Sequence, residues 1–172
     1  MTIAPFLARP SEQYKAGYIE SVYEYIMENL GVSWNPQILE EHFDDYLATL
    51  RDAETDPLQG DVPTSYYWLI VDGQTYAGEL ELRHYLNASL ERFGGHIGYK
   101  IRPTMRRQGY GTLICELGIL EARRMGITDV LITCDDDNIG SQKVIEANGG
   151  ILQDKINNQR GVLTRRYWIY DM

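Results

Sequence analysis

Arg106-Arg107-Gln108-Gly109-Tyr110-Gly111 is the stretch on which the reading of this chain turns. Two glycines around Tyr110 let the backbone curl tightly and come close to a ligand. Residues 112–120 then carry apolar side chains at helical spacing, so the turn opens a helix. The first N–H groups of a helix lack internal partners and sit at the positive end of its dipole, and Arg106 and Arg107 add cationic reach. The guest this predicts is an anion, and a pyrophosphate in particular.

Spacing separates three kinds of phosphate turn. The nucleoside-triphosphate loop needs Gly-Lys followed by Ser or Thr, and no Gly-Lys pair occurs in the chain. A dinucleotide fingerprint needs a third glycine or alanine where Ile114 stands, and no βαβ unit precedes the turn. What remains is Arg or Gln, two residues, Gly, one residue, then Gly or Ala, which residues 106–111 match throughout. The flanks agree. Gly98-Tyr99-Lys100-Ile101-Arg102-Pro103 reads as a short strand ended by proline, and Asp129-Val130-Leu131-Ile132-Thr133-Cys134 as a β-branched strand after the helix. Asn138 and Ser141 precede a short helix over residues 144–147 that closes in Gly149-Gly150.

In this order of strand, loop, helix, strand, Asn, short helix and Gly, the chain resembles the GCN5-related N-acetyltransferases (GNAT), over about residues 65–170 and most specifically over 95–150. The resemblance implies an α+β fold, a mixed, mostly antiparallel β-sheet flanked by helices and splayed at its central strands. It implies acetyl-CoA as cosubstrate, its pantetheine arm pairing with Tyr99, Lys100 and Ile101 and its pyrophosphate held at Arg106, Arg107, Gln108, Gly109, Tyr110, Gly111 and Thr112. Tyr110 occupies a variable place and also reads as a packing residue. Asn138 stands where the family keeps an asparagine that holds the cofactor arm; a helix N-cap is the alternative. The family's usual leaving-group tyrosine falls at Ile145, so no general acid is inherited there, and a tyrosine placed at 145 is expected to be tolerated. Tyr167 and Tyr170 are other sources of a proton.

The 172 residues suit one domain spanning 1–172, and 44% apolar residues suffice for its core. A net charge of −9 excludes a general nucleic-acid binder, which needs a basic surface, and favours a cationic acceptor. Two cysteines, Cys115 and Cys134, argue against a disulfide framework. Residues 1–9 lack a leader's basic and apolar regions, and no stretch is long enough to span a bilayer, so a cytoplasmic protein without membrane contact is expected. Asn87-Ala88-Ser89 is then a chance glycosylation match.

The coarse pass begins with a strand at residues 3–8. A helix follows after Ser11, with a stripe of Tyr18, Ile19, Val22, Tyr25, Ile26 and Leu30, ended by Gly31. Asn35-Pro36 opens a second helix with Ile38, Leu39, Phe43, Tyr46, Leu47 and Leu50 on one face. A hairpin turning at Asp72-Gly73 joins strands at 65–71 and 75–83, residues 87–92 form a short helix, and 162–170 a last strand. Gly94, Gly95 and Gly98 fit close approach or a bulge in the strand nearest the thioester.

Acetyl transfer needs a neutral amine near a polarised carbonyl, yet an alkylammonium has a pKa of about 10.4, so a base is sought. Glu81 and His96 are the catalytic candidates, with Glu79 and His84 behind them. Glu79 and Glu81 alternate along one strand and share a face. Asp135, Asp136 and Asp137 make an acidic patch that is either an attractor of cations or a solvated loop. His42, His84 and His96 have no metal-ligand spacing. The expected acceptor is a small-molecule primary amine; a protein amine, or a coenzyme A sensor without turnover, is the alternative. A homodimer through the C-terminal strand is also expected.

Overall fold

The computed structural model describes residues 3–158 and 161–171. Met1 and Thr2, at the head of the stretch read for a leader, lie outside them. In chain order the elements are β1 (Phe6–Ala8), α1 (Lys15–Met27), α2 (Pro36–Glu41), α3 (Phe43–Thr55), β2 (Thr64–Val71), β3 (Thr75–Arg83), α4 (Ala88–Phe93), β4 (Ile97–Ile101), α5 (Tyr110–Arg124), β5 (Val130–Asp135), α6 (Ile139–Ala147), β6 (Ile151–Asn157) and β7 (Leu163–Ile169). They build two antiparallel sheets, ordered β1-β2-β3-β4 and β5-β7-β6. The α+β architecture with helices against antiparallel sheets is the one expected.

The first sheet is buried on both faces. One packs on α5, with Leu69, Leu80, Leu82, Ile97, Ile114, Ile119 and Ile145 in a common apolar cluster. The other packs on α1 to α3, where Trp68 stacks on Tyr18 at 4.7 Å between centroids and Phe43, Tyr46 and Tyr76 close around them. A bulge decides which β3 residues face which layer. Leu69 pairs with Gly78 but Ile70 with Tyr76, leaving Ala77 as the extra residue. Tyr76, Glu79 and Glu81 consequently share the α1–α3 face while Leu80 and Leu82 face α5. The bulge anticipated in β4 is thus in its neighbour; the β3–β4 register from Gly78↔Ile101 to Leu82↔Ile97 is regular.

Several boundaries depart from the sequence reading. Asn29, not Gly31, ends α1: at φ 56° it lets its own N–H bond Ile26 O (3.0 Å) and Leu30 N–H bond Tyr25 O (2.9 Å), and Leu30 and Ile26 turn outward. The helix from Pro36 breaks at His42 (φ −121°, ψ 40°), which buries both Leu39 and Phe43 and leaves Ile38 exposed. Asn138 caps α6 at once, so that helix starts at Ile139 rather than near 144. The strand β6 was not anticipated; Gln153, Asp154 and Lys155 make it a polar edge whose pairing with β7 holds it.

Among the described residues the main chains of the two sheets are bridged at one place. Gly95 bridges Ile132, and His96 N–H donates to Leu131 O at 2.7 Å. Gly95 has φ 67°, and a Cβ on it would lie 2.5 Å from Leu131 O, so only glycine fits. Beyond this clasp β4 and β5 part, which is the splay expected of the central strands.

Candidate active site

The antiparallel alternation fixes what β4 offers to the gap. Arg83 N–H bonds His96 O (2.8 Å) and Arg102 N–H bonds Ala77 O (2.9 Å), so the alternate residues Gly98 and Lys100 are the ones whose main chain pairs with β3. The main chain of Ile97, Tyr99 and Ile101 faces the splay. Lys100, expected to pair with the cofactor arm, therefore spends its backbone on the ladder, and its Nζ lies 2.9 Å from Glu79. Ile101 O accepts from Tyr25 OH at 2.8 Å and from Arg106 Nε at 3.2 Å. Among the described residues no main-chain partner takes up the splay-facing edge of Tyr99.

The splay is a cavity of about 320 Å³ lined by Gly98 and Tyr99 of β4, Ile132 to Cys134 of β5, and Asn138 and Ser141 at the head of α6. Asn138 Oδ1 accepts from Ser141 N–H at 3.0 Å, the N-cap role, while its residue borders the cavity. Tyr99 OH and Ser141 Oγ are 3.0 Å apart, and burial holds the phenol well above its ordinary pKa, so it is a neutral donor. Cys134 borders the same cavity with its thiol pushed up by burial to about 11; Cys115, inside the core, goes to about 12.

At the far end, Arg107 (φ 63°) and Gly109 (φ 86°) both take left-handed conformations and α5 begins at Tyr110. Leu113 N–H is the first to find a helical partner, Gly109 O at 3.1 Å, so the N–H groups of Tyr110, Gly111 and Thr112 precede the helical ladder. The side chains divide the work. Arg106 is turned away from the turn: its guanidinium binds Glu28 at 2.7 Å and stands over Tyr25. Arg107 is exposed, Gln108 reaches back to Thr104 O (3.3 Å), and Tyr110 packs on the α5 core. Thr112 O accepts from Asn148 Nδ2 at 3.1 Å, joining α5 to α6.

Sequence reading missed what holds this turn. Glu20 and Glu24 of α1 and Glu28 at its C-cap stand one turn apart and take Arg102 (2.9 and 2.7 Å), Thr104 N–H (3.2 Å) and Arg106. Burial pushes the Glu24 carboxyl up, but the bonds from Arg102 and Thr104 bring it below its ordinary value. Carboxylates four apart at 20, 24 and 28 and arginines four apart at 102 and 106 were the available signal, which does not say that the two rows meet.

Glu81 sits at the mouth of the splay. It packs over Gly98, where a Cβ would collide with its carboxylate, and Arg83 grips its Oε1 while reaching Gly94 O (3.1 Å) and Gly95 O (3.2 Å). Two further cavities meet at the same residue. One is a groove of about 750 Å³ between α3, the 56–64 connector and α4, bordered by Asp52, Asp56 and Asp61. The other is a chamber of about 190 Å³ among α1, α3 and strands β2 to β4. Among the described residues Glu81 alone borders all three.

The other candidates lie elsewhere. His96 is 7% exposed, its Nδ1 accepts from Leu131 N–H at 3.0 Å, and burial followed by the Arg83 charge pushes its pKa down to about 4. It is a neutral clasp between sheets, not a group facing the gap. His84 is bonded to Ser65 at 2.8 Å. Tyr167 is buried against Glu146 (3.1 Å), and Tyr170 stacks on Trp168. Asp136 is paired with Lys155 (2.8 Å) and Arg165 (2.5 Å), which leaves that patch partly neutralised. Ile145 is fully buried in the α5 core, so the place of the family tyrosine faces away from the cavity.

The family description "Acetyltransferase (GNAT) domain" matches residues 11–151. The chain belongs to the GNAT acetyltransferases. As such it draws its acetyl group from acetyl-CoA, the cosubstrate implied by the turn at residues 106–111. The fold is similar to RimL, the ribosomal L7/L12 alpha-N-protein acetyltransferase in complex with coenzyme A, at 17% identity and a TM-score of 0.71, covering 98% of this chain and 94% of that one. It is similar to the Salmonella typhimurium acetyltransferase that modifies the N-terminal serine of L7/L12, at 16% identity and 0.69, covering 98% and 96%. It is also similar to the Salmonella typhimurium acetyltransferase yncA with acetyl-CoA, at 14% identity and 0.64, covering 98% and 94%. No curated protein matches the sequence. Among the described residues no helix is long and apolar enough to cross a membrane.

Proposed function

We propose that this GNAT acetyltransferase transfers the acetyl group of acetyl-CoA to the primary amine of a small molecule by direct attack with both substrates bound. The observation that carries this is the position of Glu81, the one carboxylate common to the splay, the acidic groove and the chamber. Acetyl-CoA supplies an activated thioester; the rest is orientation and proton handling by the chain. The helix-opening N–H groups at residues 110–112 hold the pyrophosphate, and the free edge of Tyr99 aligns the pantetheine arm, its N–H donating to the carbonyl oxygen. Glu81, fixed by Arg83, takes one proton from the arriving ammonium, and the neutral nitrogen then bonds the carbonyl carbon. The carbon–sulfur bond breaks, and the proton that the acylated nitrogen still sheds passes through the Tyr99–Ser141 hydroxyl pair to the departing thiolate, in place of a tyrosine at 145.

A protein amine is the second reading, favoured by the open groove and by the L7/L12 acetyltransferases among similar folds. Coenzyme A release over a panel of alkylamines, diamines and N-terminal peptides, with acetyl-CoA binding measured on the same sample, tests both. Glu81→Gln is expected to lower kcat roughly 10²-fold or more, a general base's share, with acetyl-CoA affinity retained. Full activity in that variant removes Glu81 from the mechanism.

A further inference from the structure

The chamber beside Glu81 has the chemistry of a cation site. Tyr18, Tyr25, Trp34, Tyr46 and Tyr66 wall it, Glu79 lies within it, and the Tyr18 hydroxyl accepts from Tyr46 OH at 2.6 Å. Each of the four tyrosines is pushed above its ordinary pKa, by burial first, so the walls are neutral and Glu79 and Glu81 are the chamber's acids. The chamber already holds one ammonium: Lys100 Nζ, 2.9 Å from Glu79 and 5.2 Å from the centre of the Tyr25 ring. A carboxylate under an aromatic rim is a strong setting for a cation, because ring quadrupole and charge act together away from bulk water. Lys100 itself is half exposed on its outer side, so it can withdraw to solvent when another ammonium arrives.

Glu79 and Glu81 are two apart on one strand face, and their roots are therefore about 6.6 Å apart. An extended chain advances roughly 1.3 Å per bond when built from ~1.5 Å carbon–carbon bonds, so two nitrogens separated by about four carbons span that interval. We propose that the acceptor is a diammonium compound of this length, one nitrogen reacting at Glu81 and the other held by Glu79 in the aromatic chamber, where it displaces Lys100. The inference rests on the transfer reading above and names the class of amine that it takes. Lys100 is then a built-in competitor that keeps Glu79 paired until the acceptor enters, and it sets the concentration at which a diamine binds.

The test compares butylamine with butane-1,4-diamine in coenzyme A release, and follows butane-1,4-diamine binding by calorimetry, in the wild-type chain, Glu79→Gln and Lys100→Met. The diamine is expected to exceed the monoamine in kcat/KM by about ten-fold or more, through KM, which is the size of one charge-assisted contact. Glu79→Gln is expected to bring the two amines together, and Lys100→Met to lower the diamine KM and Kd several-fold. Equal kcat/KM for the two amines in an active enzyme, or a Lys100→Met variant that binds the diamine no better, overturns the chamber assignment and leaves acetyl transfer intact. Diamine binding that tightens in Lys100→Met without any coenzyme A release sinks the transfer reading and keeps the chamber. Neither binding nor release overturns both.

Discussion

At the scale of single residues, His96 shows how a plausible catalytic group becomes a structural one. Its place at the start of the strand nearest the thioester suggests a base; its Nδ1 instead accepts the Leu131 N–H, which requires the neutral ring. The folded pKa of about 4 lies below the ordinary 6.5, so the unfolded chain takes up the proton first as pH falls. The stability that His96 contributes is therefore complete above pH 6.5 and is lost as pH drops toward 4, up to about 3 kcal/mol at ~1.4 kcal/mol per pKa unit. Urea titrations at pH 7 and pH 4.5 are expected to show that loss, and His96→Asn to flatten it. Ile145 carries a second correction. A tyrosine there was expected to be harmless, but the side chain is fully buried and packs close to Gly150, so Ile145→Tyr overpacks the α5 core and is expected to destabilise the fold by about 1–3 kcal/mol in the same assay.

At the scale of elements, local chemistry was legible and distant pairing was not. The left-handed glycine at 109, the hairpin at Asp72-Gly73, the Asn caps of α2 and α4 and the glycine end of α6 each follow from a few adjacent residues, and each was readable. Alternation likewise put Glu79 and Glu81 on one face. The clamp of α1 carboxylates on Arg102 and Arg106 joins positions 78 residues apart, and the identity of the partners lies in no local pattern. The break at His42 has no proline or glycine to announce it; it is imposed by packing Leu39 and Phe43 against the sheet. The polar strand β6 was invisible for the same reason, since its order comes from β7. For the phosphate turn the consequence is specific. A Cβ at Gly111 lies 3.2 Å from Val144 Cγ2, on the seam between α5 and α6, and a carboxylate there opposes the helix's positive end. Gly111→Glu is expected to weaken acetyl-CoA binding by at least ten-fold in calorimetry while circular dichroism stays native; unchanged affinity removes the turn from the pyrophosphate site.

At the scale of the whole molecule, the net charge of −9 is not spread evenly in its effect. The α1 acids are bonded to arginines and Asp136 to Lys155 and Arg165, whereas Asp52, Asp56 and Asp61 border the groove that ends at Glu81. Attraction of the proposed cationic acceptor is thus directed to one side of the first sheet, and its reach contracts with the Debye length, about 8 Å at physiological salt. The first sheet has an aromatic layer on one face and an aliphatic layer on the other, and among the described residues its main chain is bridged to the second sheet at one clasp. Initial velocities taken over both substrates are expected to give intersecting reciprocal lines; parallel lines indicate an acetylated enzyme and exclude direct transfer. The four strands of that first sheet act as a septum. In the transfer proposed above, the acceptor enters from the acidic groove and the donor from the splay, with Glu81 at the border of both.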